Sequence, residues 1–175
     1  MNTEDRIHIL WDMDGTLFRF IPNGDIYRES YFELLPCNRS LADALDRLHG
    51  MRFGNHSLYC ETLSSYLTDS PHDPVKEKNT ALDRETSVSR DRRFFIPCGE
   101  SKWDAACRMR IEKNSILIDD YGKNISDWKG PYVKVSRDSE DLKKEKHHHK
   151  FCISPDNTPD EIIHIVLCAL AEEKL

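Results

Sequence analysis

The apolar positions of this chain fall into short runs separated by longer amphipathic or polar stretches. Ile7-His8-Ile9-Leu10-Trp11 reads as a buried strand that stops abruptly at Asp12-Met13-Asp14-Gly15-Thr16. His56 to Leu63, with Leu58, Tyr59, Cys60, Thr62 and Leu63, reads as a second strand, although Glu61 is an unexpected charge within it. Arg93 to Pro97, carrying Phe94-Phe95-Ile96, is a third strand, and Ser115 to Ile118 is a fourth that runs straight into Asp119-Asp120. Tyr132 to Val135 and Phe151 to Ile153 are further strand candidates.

Helical spacing lies between these runs. From Asn38, the residues Leu41, Leu45 and Leu48 share one face, and Gly50 closes the segment. Pro71 to Arg84 and Ser101 to Arg110 are more polar helical candidates. Near the C-terminus, Thr158-Pro159-Asp160-Glu161 supplies an N-cap, a first-turn proline and a capping-box glutamate, with Ile162, Ile165, Val166, Ala169 and Leu170 as the apolar face. Residues 18 to 36 are aromatic and irregular, with Pro22, Asn23 and Gly24 marking a turn, and Arg137 to Lys150 reads as a charged loop.

Short apolar strands alternating with helices predict an α/β fold: a mainly parallel sheet covered on both faces, in three layers, with an irregular aromatic insert at 18–36. The 175 residues fit one domain. In such folds ligands bind beyond the carboxyl ends of the strands, near the point where strand order reverses. The acidic pairs stand at those ends.

Composition narrows the function. The chain has 38% hydrophobic and 32% charged residues, as expected of a soluble globular protein. With 25 Lys+Arg against 31 Asp+Glu, its formal charge of -6 argues against a protein built to grip a nucleic-acid polymer but leaves room for a small phosphorylated ligand. No stretch approaches the roughly 18 apolar residues of a membrane helix, and Ile7 to Trp11 is too short for a signal-peptide core, so a cytoplasmic protein without membrane contact is expected. The six cysteines contain no CxxC pair and read as small buried hydrophobes.

Asp12 and Asp14 at a strand end can project into one site while Gly15 lets the backbone turn. Their charges repel unless a divalent cation lies between them, and hard oxygen ligands suit Mg²⁺. A carboxylate can also attack phosphorus. Read alone, the motif could be a turn whose aspartates cap backbone amides. The second pair, Asp119-Asp120, shifts the balance, because four carboxylates at one sheet edge are costly without a cation.

This pattern resembles the haloacid dehalogenase superfamily of phosphatases, whose motifs follow a fixed order. Asp12 to Thr16 matches its strand-DxDGT motif, Ser64 in Thr62-Leu63-Ser64-Ser65 its strand-end Ser or Thr, Lys102 in Gly99-Glu100-Ser101-Lys102 its lysine, and Asp119-Asp120 its acidic strand end. From Ile7 to about Ala169 the chain is also similar to the cytosolic 5′(3′)-deoxyribonucleotidase type, particularly bacterial and phage-like members. The stretches that carry this likeness are Leu63 to Ser70, Glu77-Lys78-Asn79, Leu82-Asp83-Arg84, Phe95 to Lys102 and Leu117 to Tyr121, with Ile26 to Phe32 like that group's small cap.

The resemblance implies a Rossmann-like fold with residues 18–36 as a small cap insert, and an Mg²⁺-dependent phosphomonoester hydrolase acting on a nucleoside monophosphate. Asp12 would be the nucleophile and Asp14 the general acid and base. Mg²⁺ would be held by the Asp12 carboxylate, the Asp14 backbone carbonyl and Asp120, with Asp119 as an anchor or partial ligand. Ser64 and Lys102 would bind phosphate, and Lys78 would be a secondary phosphate contact. A one-residue shift of register around Glu61 would put Ser65 in the place of Ser64. Thr16 is typical of the superfamily, whereas many nucleotidases of this type carry Val there. Another small phosphoester, such as a phosphosugar, and a non-catalytic phospho-ligand module are the competing readings.

Of the remaining features, Phe18, Phe20, Tyr27, Tyr31 and Phe32 read either as a stacking wall for a base or as packing within the cap. His147-His148-His149 reads as part of a solvated loop, and His8, His56 and His164 as structural.

Overall fold

The strand β1 (Arg6–Trp11) occupies the centre of the computed structural model, which describes residues 6–21 and 24–172. It pairs in parallel with β3 (His56–Tyr66) on one side and β5 (Ser115–Asp119) on the other. β4 (Arg93–Pro97) extends the sheet beyond the end of β3, and β6 (Tyr132–Val135) and β7 (Cys152–Ile153) extend it beyond β5, all in parallel. The short β2 (Arg52–Phe53) pairs antiparallel with the start of β3 and is the one exception among the described strands. The parallel strands therefore run β4-β3-β1-β5-β6-β7, the doubly wound order of a Rossmann-like α/β fold. The reversal lies between β1 and β5, whose carboxyl ends carry the two acidic pairs.

Alternation along the strands makes two apolar layers. Ile7, Ile9 and Trp11 of β1, with Ile116 and Ile118 of β5, face α1 (Arg39–Leu48), α2 (Pro74–Glu85) and α6 (Pro159–Glu172). Leu10, Leu63 and Leu117 face α3 (Lys102–Met109) and α4 (Gly122–Asp127). Each such side chain, wholly buried, stabilises the fold by about 2 kcal/mol. The capping box of α6 forms as expected: the Thr158 amide donates to Glu161 at 2.8 Å and the Glu161 amide to Thr158 Oγ1 at 3.3 Å.

Several expectations change. Arg137 to Lys150 is not all loop, because α5 (Ser139–Glu145) lies within it; Asp138 caps that helix through two backbone amides and Leu142 is buried. β3 runs on to Tyr66, so Ser64 lies inside the strand, not after it. Asn38 precedes α1 but does not cap it with its side chain, which donates instead to the Thr16 carbonyl. Only Cys60 and Cys152 are buried, while Cys98 and Cys107 are exposed. In the cap, Phe18, Tyr31, Phe32 and Leu35 join the main core, and Glu77 of α2 anchors the cap by accepting from the Ser30 and Phe32 amides at 2.8 and 3.1 Å. Of the turn at 22–24, Pro22 and Asn23 lie outside the described residues. No helix among the described residues is long and apolar enough to cross a membrane.

Glu61 has a partner that its own strand cannot reveal. The parallel register sets it beside Leu10, and its Oε2 meets His8 Nδ1 at 2.7 Å, both side chains being buried. Replacing Glu61 with Leu strands the His8 ring and costs about 1–3 kcal/mol. The double variant His8→Val/Glu61→Leu recovers most of that loss. Urea unfolding midpoints of the three variants check this; a neutral single variant would contradict it.

Candidate functional site

The parallel register of β1 and β5 brings Asp12, one residue beyond Trp11, against the end of β5. The Asp12 amide donates to the Ile118 carbonyl at 2.9 Å. One carboxylate oxygen each from Asp12, Asp119 and Asp120 falls within a single 4.8 Å cluster. Ligand oxygens around an octahedral Mg²⁺ lie about 3 to 4 Å apart, so the separation and the all-oxygen donor set fit a hard divalent cation.

Three buried lysines neutralise this edge. Lys102, in the first turn of α3, is 2% exposed, and its Nζ donates to Asp12 Oδ1 at 2.5 Å and to Asp119 Oδ2 at 2.7 Å. Lys78 of α2 is wholly buried; it donates to Asp14 Oδ2, to Ser64 Oγ at 2.8 Å and to the Ser65 carbonyl at 2.6 Å. Lys134 of β6, in register with Asp119, donates to the Asp120 carbonyl. Three ammonium groups against Asp12, Asp14, Asp119 and Asp120 leave one carboxylate charge unmatched.

The carboxylates differ in what remains free. Asp119 has no exposed surface and is committed to protein donors: its Oδ2 accepts from Lys102 and from Asn124 at 2.9 Å, its Oδ1 from the Tyr121 amide at 2.7 Å. It holds the end of β5 in shape. Asp12 and Asp120 both line the open cleft. Asp14 also lines it, but its side chain lies outside the three-carboxylate cluster and turns to Lys78, while its Oδ1 is buried with no protein partner.

Gly15 is required twice over. Its φ of +84° lies in the left-handed region, and a Cβ there would stand 2.2 Å from Asp120 Oδ2. Thr16 Oγ1, behind it, reaches Asp120 Oδ1 at 3.4 Å.

The cleft has a volume of about 490 Å³. Besides Asp12, Asp14, Lys102 and Asp120, its wall includes Ser65, Glu100, Asn124 and two large exposed aromatics, Phe20 at 50% and Tyr121 at 59%. Two of the expected phosphate contacts lie behind the cleft wall rather than in it. Ser64 and Lys78 do not line the cleft; both are fully buried behind it and bonded to each other, whereas Ser65, the next residue on the strand, faces in. Of the five aromatic candidates Phe18, Phe20, Tyr27, Tyr31 and Phe32, Phe20 alone lines the cleft, while Tyr27 is exposed and its hydroxyl reaches Asp69 at 3.3 Å. Sequence reasoning missed Lys134, Asn124 and Tyr121. The one available signal was a lone lysine inside the apolar run Tyr132-Val133-Lys134-Val135.

Burial and like charge act together on the acids. Burial pushes the Asp12 carboxyl well above its ordinary range; Lys102 opposes this and the neighbouring carboxylates add to it. Burial, then the Asp119 charge, raises Asp120 to about 6, against Lys134 and Lys102. For Lys102 burial disfavours the charge, but Asp119 and Asp12 outweigh it and its value rises. No protein-family model and no curated protein matches the chain.

A group whose value is higher in the folded than in the unfolded state contributes stability that is lost as pH rises through that interval. The metal-free protein therefore loses stability between the ordinary carboxylate range and about 6, the folded value of Asp120. Asp120→Asn removes that loss. In EDTA it is more stable than the parent above about pH 7, by up to about 2–3 kcal/mol, and the gap closes toward about pH 4. Thermal melts of both proteins across that range check this; a constant gap would contradict it.

Proposed function

We propose that the protein is a magnesium-dependent phosphomonoester hydrolase of the haloacid dehalogenase type, with Asp12 as its nucleophile and a nucleoside monophosphate as its substrate. The observation that carries this reading is the meeting of Asp12, Asp119 and Asp120 around one point at the strand-order reversal, with Lys102 bridging Asp12 and Asp119. The motif order along the chain agrees with it.

In the proposed reaction, an Asp12 carboxylate oxygen attacks phosphorus in line as the bond to the leaving oxygen breaks. Asp14 gives its proton to the departing alkoxide, then takes one from the water that attacks phosphorus and displaces the Asp12 carboxylate from the acyl phosphate. Lys78 orients Asp14 through Oδ2 and leaves Oδ1 without a protein partner, free to hold the transferred proton. Lys102 stands where charge builds on the transferred phosphoryl group, and Ser65 offers a hydroxyl from the cleft wall. Asp12 and Asp120 would hold Mg²⁺, which when bound would offset phosphate charge and screen the repulsion between the Asp12 carboxylate and the phosphoryl oxygens.

A nucleotide suits the rest of the cleft. Its volume of about 490 Å³ lies within the usual range for small-ligand sites. Phe20 and Tyr121 present exposed aromatic surface to a planar base, and Asn124 and Glu100 offer donors and acceptors for its edge or for the sugar.

The test is phosphate release from nucleoside 5′- and 3′-monophosphates, sugar phosphates and p-nitrophenyl phosphate, with Mg²⁺ and with EDTA. Release is expected only with Mg²⁺, with kcat/KM for one nucleotide group well above that for the sugar phosphates. Asp12→Asn is expected to abolish release while its unfolding transition stays cooperative. EDTA-insensitive release, or near-native turnover by Asp12→Asn, would refute the mechanism; preference for sugar phosphates would refute the substrate.

A further inference from the structure

Away from the cleft, α6 carries a pair of side chains that its packing and capping do not use. His164 and Cys168 are four residues apart on this 14-residue helix, a spacing that stacks side chains on one face. His164 is exposed and Cys168 half-buried, and the imidazole Nε2 and thiol Sγ lie 3.6 Å apart. We propose that this pair is a second metal site, a two-point chelate for a zinc-class ion.

The geometry supports that ion class. Zn²⁺ takes imidazole nitrogen at about 2.0–2.1 Å and thiolate sulfur at about 2.3 Å. At the tetrahedral angle, two such ligands stand about 3.6 Å from each other. His164 and Cys168 already hold that separation. The helix beneath them is rigid: Ile162, Ile163, Val166, Ala169 and Leu170 are buried in the main core, and the Thr158–Glu161 capping box fixes the first turn. Little ordering cost remains for binding.

Among the described residues, the acids beside the pair on α6 are engaged elsewhere. Asp160 pairs with Arg47, Glu161 closes the capping box, and Glu172 pairs with Lys150. Water therefore fills the other two positions, which makes the site open and exchangeable. Without metal, the same separation suits a thiol–imidazole hydrogen bond. On binding, the thiol proton passes to solvent as the metal–sulfur bond forms, and the neutral imidazole gives its lone pair. A nitrogen–sulfur pair selects softer ions, whereas the all-oxygen cluster of Asp12, Asp119 and Asp120 selects hard ones, so the two sites sort metals by chemistry.

Co²⁺ titration of the reduced full chain, with Mg²⁺ in excess to fill the oxygen cluster, tests this through the sulfur-to-cobalt charge-transfer band. A band is expected that Zn²⁺ bleaches, that Cys168→Ser removes, and that His164→Ala shifts to Co²⁺ concentrations about tenfold higher or more. It should persist in Cys98→Ser, Cys107→Ser and His147→Ala/His148→Ala, which remove the exposed thiols and the neighbouring imidazoles elsewhere. Absence of the band, its survival in Cys168→Ser, or an unchanged titration in His164→Ala would overturn the site and leave the pair a hydrogen bond only. Phosphatase activity does not enter the readout, so this result is independent of the proposed hydrolysis.

Discussion

The interaction on which the rest depends is the buried bridge from Lys102 to Asp12 and Asp119. It ties together the ends of β1 and β5, the two strands between which the order of the sheet reverses. Without that ammonium, several carboxylates would be driven together in a region of low dielectric, and protonation or rearrangement would follow. Lys78 and Lys134 repeat the device at Asp14 and at the Asp120 carbonyl. The three lysines come from α2, α3 and β6, so closing the sheet and sheathing it with helices assembles the charges that make the edge tolerable. Folding and the site's electrostatics are one construction here.

The compensation is incomplete. Burial, with the neighbouring carboxylates adding to it, holds Asp12 well above its ordinary range and raises Asp120 to about 6, against the pull of the lysines. Gly15 keeps the space beside Asp120 free of a side chain, and Asp119 uses its oxygens to shape the turn. The division of labour is thus steric and electrostatic together: Asp119 holds the turn, while Asp12 and Asp120 face the opening. Glu77 pins the 18–36 segment at Ser30 and Phe32, and the same segment adds Phe20 to the cleft wall.

Much of this was legible in the sequence, and the failures have definite causes. Most of the strand and helix order, the parallel sheet and the acidic strand ends follow from apolar runs that stop at Asp12 and Asp119, whereas the short β2 and α4 were not foreseen. Lys102 was placed by its position in a motif order, and the structure sets it on Asp12. The sequence does not say where β3 ends, so it left Ser64 and Ser65 as alternatives and did not show that Lys78 bonds Ser64. With β3 continuing to Tyr66, Ser64 points back to α2 and Ser65 toward the cleft. Glu61 looked out of place because its partner, His8, is on another strand. Lys134 stood out only as a lone charge in an apolar run, because its role depends on register with Asp119. α5 was missed because a helix with one buried residue, Leu142, has almost no apolar face to read.

The central claim is that Asp12 itself becomes phosphorylated. Its most direct test is acid quenching during turnover of a nucleoside monophosphate, followed by borohydride reduction and peptide mass analysis. An aspartyl phosphate is reduced to homoserine, so the account predicts homoserine at position 12 and unchanged Asp14, Asp119 and Asp120. Steady phosphate release with Asp12 unmodified at every quench time, or with the modification on another aspartate, would contradict it.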